Sequence, residues 1–143
     1  MPENILIVDD EPDMLKLLSM IIKDKTPYGV TTTNNPLEVI DLLKNGSFDL
    51  IIADLKMPGI DGIELLDAIK KIDGDLPVII ITAYGTFETA TEALKKGGFD
   101  FITKPFRKEQ ILYTIDKALK WYVLQKENRQ LRQRLQSLQQ QEG

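Results

Sequence analysis

The chain has 143 residues, 43% of them hydrophobic and 28% charged, with a net charge of −4; that is about one soluble domain, long enough to bury a single core. It holds no cysteine and no histidine, which excludes disulfides, thiolate catalysis, cysteine zinc sites, the Ser-His-Asp triad and the usual transition-metal ligand. Any metal must be held by oxygen, which points to Mg²⁺, Ca²⁺ or Mn²⁺.

The N-terminus MPENILIVDDEPD lacks the basic start and apolar stretch of a signal peptide, and no apolar run is long enough for a bilayer; a cytoplasmic protein without membrane contact is expected. Residues 5–8 are a short β-branched run ending in acids, as a buried parallel strand does. Met14, Leu15, Leu17, Leu18, Ile21 and Ile22 then recur at helical spacing, with Asp10 or Glu11 as cap and Pro12 in the first turn. Residues 30–33 are a weaker second strand, and Pro36, Val39, Ile40, Leu42 and Leu43 give a second helix stopped by Asn45-Gly46. The third strand, 50–53, ends in Asp54, and a loop rich in turn-formers follows to Gly62. The third helix spans 63–72. The fourth strand, 78–81, runs into Thr82, and the fourth helix, about 86–96, stops at Gly97-Gly98. The fifth strand, 99–102, precedes Lys104-Pro105 and a long helical stretch.

Five β–α units of this length imply an α/β fold: a doubly wound parallel sheet with helices on both faces and right-handed crossovers. Ligands of such sheets lie beyond the carboxyl ends of the strands. Those ends carry Asp9 and Asp10, Asp54, Thr82 and Lys104. Singly, each has an ordinary reading: an Asp after a strand is usually a cap or turn residue, and a Thr in a strand reflects β propensity. Together they converge three carboxylates, a hydroxyl and an ammonium on one edge. Clustered carboxylates repel, and a divalent cation relieves that repulsion; Mg²⁺ suits such a set, especially with phosphate oxygens. A carboxylate can also act as a nucleophile and form an aspartyl-phosphate, with a metal and a lysine balancing the phosphoryl charge.

The motifs IVDDEP at 7–12, ADLKMPGIDG at 53–62, ITAYG at 81–85 and DFITKPF at 100–106 resemble the receiver domain of two-component response regulators. The resemblance covers about residues 4–120, and it implies a flavodoxin-like sheet of order 2-1-3-4-5. It implies that Asp54 is the phosphoacceptor for a partner histidine kinase. Asp9 and Asp10 would be the acidic pair that holds Mg²⁺ with Asp54 and the backbone carbonyl of Lys56. Thr82 would be the switch hydroxyl, Lys104 the phosphate-side lysine and Phe101 the switch aromatic, with Lys104-Pro105 a cis bond. Such a domain assists its own phosphorylation but is no turnover enzyme.

The charge is uneven: residues 1–106 hold 10 Lys/Arg against 18 Asp/Glu, and residues 107–143 hold 8 against 4. From 107 to about 140 neither Pro nor Gly interrupts the helix. Ile111, Leu112, Ile115, Ala118 and Leu119 fit packing on the sheet. Beyond them Trp121, Asn128 and Leu135 fall at heptad positions a, and Leu124, Leu131 and Leu138 at positions d. Leu at d with one Asn at a is the pattern of a parallel dimer, so residues 107–140 are expected to continue the last helix of a 1–120 domain into a coiled-coil homodimerisation linker. The interleaved basic residues lack the dense basic run of a zipper DNA reader, so no direct nucleic-acid contact is expected. The motif wording and KENRQLRQRL are similar to receivers of the NtrC/DctD-like family, whose members activate transcription by sigma-54 RNA polymerase through an AAA+ ATPase and a helix-turn-helix domain. Neither output domain is present in these 143 residues, which contain no G-x-x-x-x-G-K-[ST] loop, and a fragment of a longer protein is expected.

Two other classes compete. A Mg²⁺-dependent aspartyl-nucleophile phosphatase would need its nucleophile on the first strand, usually in an Asp-x-Asp element; here the run is Asp9-Asp10-Glu11. A phosphorylation-independent dimerisation module would carry the same acids without binding a cation.

Overall fold

The computed structural model describes residues 3–57, 59–83 and 85–142. Five parallel strands form the sheet: β1 (Asn4–Val8), β2 (Gly29–Thr33), β3 (Leu50–Ala53), β6 (Val78–Thr82) and β7 (Asp100–Thr103). Their order is β2-β1-β3-β6-β7, which is 2-1-3-4-5 when only these five are counted. Between β3 and β6 a two-stranded antiparallel ribbon pairs β4 (Lys56–Met57) with β5 (Ile60–Asp61). The helices are α1 (Pro12–Lys25), α2 (Val39–Asn45), α3 (Gly62–Ile72), α4 (Phe87–Lys95) and α5 (Lys108–Glu142).

Alternation along each strand divides the interior into two layers. Leu6, Val8, Ile51, Ala53, Val78 and Ile80 face α2, α3 and α4, where they meet Val39, Leu65, Leu66, Ile69 and Ala93. Ile5, Ile7, Leu50, Ile52, Ile79 and Ile81 face α1 and α5, where they meet Leu18, Ile22, Ile111, Ile115 and Ala118. Both faces of the central strands are covered, so they read as unbroken apolar runs. Because all five strands are parallel, their carboxyl ends share one edge.

Several local expectations are corrected. The stretch 55–62 is no plain loop: Lys56 pairs with Asp61 and Met57 with Ile60, and Gly59, at φ +93°, makes the turn between them. The second helix does not open at Pro36. A 3-10 turn spans Pro36–Glu38, capped by the Asn35 side chain, which accepts from the Leu37 N–H. Neither Asp10 nor Glu11 caps α1 through its side chain; Glu11 occupies the cap position, and its N–H donates to Asp9 Oδ1 at 2.9 Å. Phe99 lies one residue before the last strand, although its N–H already donates to Val78 O at 2.8 Å; its ring packs on Trp121 at 5.6 Å between centroids.

The last helix has 35 residues, about 52 Å at 1.5 Å per residue. Leu124, Leu131, Leu135 and Leu138 are exposed on it, as is Asn128. Trp121 differs from them: it is half-buried against the core and Phe99 of its own chain. No helix among the described residues is long and apolar enough to cross a membrane.

Candidate functional site

Backbone pairing sets the level of the acids. β1 is bonded on both sides, and the ladder runs on past its end. The Asp9 N–H donates to Thr33 O and the Asp54 N–H to Val8 O, each at 3.2 Å. The two carboxylates therefore project from neighbouring strands at one height. Asp9 and Asp54 are 3% and 5% exposed, and Asp10 lies further toward solvent. One carboxylate oxygen from each of Asp9, Asp10 and Asp54 lies within 4.8 Å of the others.

The lysine arrives from the far side. The Lys104 N–H donates to Thr82 O at 2.9 Å, extending the β6–β7 pairing by one residue past Thr82↔Thr103. Its ammonium reaches back to donate to Asp54 Oδ2 at 3.1 Å and to Asp9 Oδ2 at 3.2 Å. The Lys104-Pro105 peptide bond is cis.

Burial pushes the Asp9 carboxyl above its ordinary value, and the nearby Asp54 charge adds to that; the Glu11 N–H and Lys104 pull the other way without cancelling it. For Lys104, burial alone lowers the pKa. Hydrogen bonds and charge from Asp54 and then Asp9 outweigh it, so the net shift is upward. The amine thus stays charged at neutral pH. The set balances one fixed cation against three carboxylates, all hard oxygen donors, and that composition fits a small divalent cation.

Beside the acids a cleft of about 680 Å³ opens, walled by Asp10, Asp54, Leu55 and Met57 on one side and Thr89 and Glu92 of α4 on another. The ribbon β4–β5 forms part of its rim. It is held by the Gly62 N–H, which donates to Leu55 O at 2.9 Å. A Cβ on Gly62 would stand 2.4 Å from that oxygen, so only glycine permits the approach.

Of the sequence-derived residues, the fold gathers Asp9, Asp10, Asp54 and Lys104 at one point, with Thr82 fully buried at the end of the strand next to that of Asp54. Phe101 is half-buried against the core layer of α2, α3 and α4. Gly85 lies against its ring, where a Cβ would come within 2.9 Å of Cε1. Lys56 sits at the start of β4, two residues after Asp54. Sequence reasoning missed the Glu11 N–H that fixes one Asp9 oxygen and the Gly62 contact; the glycine itself was the only available signal.

The profile of the response regulator receiver domain matches residues 5–116. The chain belongs to that family. As a receiver it is a signalling module and not a turnover enzyme, which removes the phosphatase reading. The receiver is 39% identical over 118 residues to the transcriptional regulatory protein GlrR of Escherichia coli, covering 82% of this chain and 26% of that protein. It is 37% identical over 135 residues to the nitrogen assimilation regulatory protein NtrX of Azorhizobium caulinodans, covering 93% of this chain and 30% of that one. The chain thus spans less than a third of the length of these relatives. The solved structure of the beryllofluoride-activated NtrC4 receiver domain dimer superposes with a TM-score of 0.79 at 37% identity, covering 83% of this chain and 98% of that one.

Proposed function

We propose that this receiver is phosphorylated on Asp54 by a partner histidine kinase and that Mg²⁺ is its cofactor, held by Asp9, Asp10, Asp54 and the Lys56 carbonyl. The observation that carries the reading is the Lys104 ammonium shared between Asp54 and Asp9, beside a third carboxylate on one strand edge. When bound, the cation supplies positive charge to the carboxylates and to the incoming phosphoryl oxygens.

Asp54 acts as the nucleophile. A carboxylate oxygen forms the O–P bond as the N–P bond of the kinase phosphohistidine breaks, and the bonding pair leaves with the imidazole nitrogen. Lys104 keeps a fixed positive charge beside the acceptor, so little reorganisation is needed when phosphoryl charge arrives. The added oxygens then draw the Thr82 hydroxyl toward them, and Phe101 turns into the space vacated. This is a local charge event acting on an element with two arrangements. With Phe instead of Tyr the switch is steric, since the ring carries no hydroxyl.

The output is read by analogy. GlrR and NtrX are named as regulatory proteins, and the resemblance of its motifs to NtrC/DctD-like receivers supports a role in a sigma-54-dependent activator with an AAA+ output domain. The exposed Leu124, Asn128, Leu131, Leu135 and Leu138 form the seam of a parallel homodimer, which phosphorylation rearranges; Trp121 stays with its own domain. A cytoplasmic location suits a receiver domain that takes its phosphoryl group from a kinase.

The test is acid-labile labelling by a small phosphodonor with Mg²⁺. Wild type takes up label, and Asp54→Asn does not. Label persisting on Asp54→Asn refutes the assignment. Thr82→Ala is expected to accept phosphate while losing most of the dimer rearrangement; an undiminished rearrangement refutes the coupling.

A further inference from the structure

At the sheet edge opposite the acidic site, where β3 and β6 begin, α5 meets the turns before those strands. The Tyr122 hydroxyl donates to Asp73 Oδ2 at 2.5 Å. The Arg129 guanidinium pairs with Asp75 and lies 3.8 Å from Asp73 Oδ1. Lys126 Nζ is 3.9 Å from Asp49 Oδ1 and 4.5 Å above the Tyr122 ring.

The acids are placed before the helix reaches them. Asp73 Oδ1 accepts from the Asp75 N–H at 3.0 Å. The Lys70 ammonium donates to Leu76 O at 2.6 Å and to Gly74 O at 3.4 Å, which fixes the turn's path.

The helical phase gives the contact its meaning. At 100° per residue, Tyr122, Lys126 and Arg129 fall on one stripe, and Leu124, Leu131 and Leu138 fall about 180° round from it. The stripe bound to the body and the stripe of exposed leucines are therefore back to back.

We propose that this cluster is a clamp. It fixes the direction and rotational phase in which α5 leaves the receiver, so that everything after Arg129 is aimed by the receiver body. The inference goes beyond the phosphorylation reading and stands whether or not the chain is phosphorylated or paired. Each ion pair is half-exposed and weak alone. The clamp works because the pairs act jointly with the hydroxyl bond of Tyr122, whose side chain is buried in the core.

The full chain has no cysteine, so one spin-label pair can be introduced cleanly. Labels at Lys44→Cys and Gln133→Cys, diluted in unlabelled chain, report the intrachain distance by pulsed electron resonance. A narrow distribution is expected for the wild-type clamp. It broadens in the Asp73→Asn/Asp75→Asn double variant, in Arg129→Gln, and in wild type at about 1 M salt, where screening is nearly complete. Amide exchange over residues 125–130 rises roughly fivefold to tenfold in both variants, while exchange in β1 stays unchanged as the control for folding. Arg129→Gln alters only the exposed helix, so it remains informative if the double variant folds poorly. Distance distributions and exchange rates identical to wild type in Arg129→Gln overturn the clamp; the helix is then held by its backbone and by its packing before residue 120 alone.

Discussion

Replacing Lys104 with Met leaves two buried carboxylates, Asp9 and Asp54, facing each other without the cation they share. The ammonium stands 3.2 and 3.1 Å from them. At an effective dielectric of about 20, each contact is worth roughly 5 kcal/mol in gross Coulomb terms. Desolvation of the three groups offsets most of that, and removing one partner of a buried pair typically costs about 3–5 kcal/mol. This pocket opens to water on the Asp10 side, so a loss of about 2–4 kcal/mol is expected at pH 7, or roughly 10 °C in melting temperature. The loss depends on pH with a definite sign. Burial already holds the Asp9 carboxyl above its ordinary value, and Lys104 opposes that rise. In the variant the folded-state pKa climbs further. A raised folded pKa gives stability that is present below the unfolded value and lost as pH climbs through the folded value. Lys104→Met therefore recovers toward wild type between pH 7 and about pH 4.5. Mg²⁺ at about 10 mM narrows the gap at pH 7 by binding only the folded form. Urea titrations at both pH values, with and without Mg²⁺, measure this. Equal destabilisation at both pH values and no response to Mg²⁺ would refute the electrostatic account of the pocket.

Three other outcomes are expected. Gly62→Ala should lose about 2–4 kcal/mol in thermal melts, because its Cβ meets the Leu55 backbone at 2.4 Å; a change under about 0.5 kcal/mol contradicts the close approach. Leu131→Asn with Leu135→Asn should convert a dimer to a monomer in sedimentation equilibrium while the receiver's melting is retained; a wild-type chain already monomeric removes the seam. Tyr28 donates to Asp116 at 2.9 Å, and burial, then that bond and charge, push its pKa up to about 12. Its share of stability is therefore present below about pH 10 and lost as pH rises toward about 12. Absorbance titration of tyrosinate should show a late-ionising fraction that shrinks in Tyr28→Phe, the remainder belonging to Tyr122, which burial and its bond to Asp73 also push upward.

The fold was legible where the signal is local. Apolar runs ending in Asp9, Asp54 and Thr82 marked strands buried on both faces, and the shared edge followed from parallel topology. Breaks such as Gly97 were also readable: at φ +103° it adopts a backbone that favours glycine. The ribbon at Lys56 and Ile60 was not, because two-residue strands have no periodicity. Trp121 fits a heptad by spacing, and spacing alone did not reveal that its half-buried ring lies beside Phe99 of the same domain. Asp73 and Asp75 were invisible as partners of α5, since contacts 49 and 54 residues apart leave no pattern in the chain. The pairing of Lys104 with Asp9 as well as Asp54 likewise needed coordinates.

Only three residues separate the Lys104 amine from the first turn of a helix about 52 Å long. Beyond the clamp at Arg129 the helix runs on for 13 residues, about 20 Å, so each degree by which the clamp yields carries the far end through about 0.3 Å. A tilt of roughly ten degrees there leaves the sheet unchanged yet moves residue 140 by about 3 Å, large enough to bring neighbouring bodies into or out of contact.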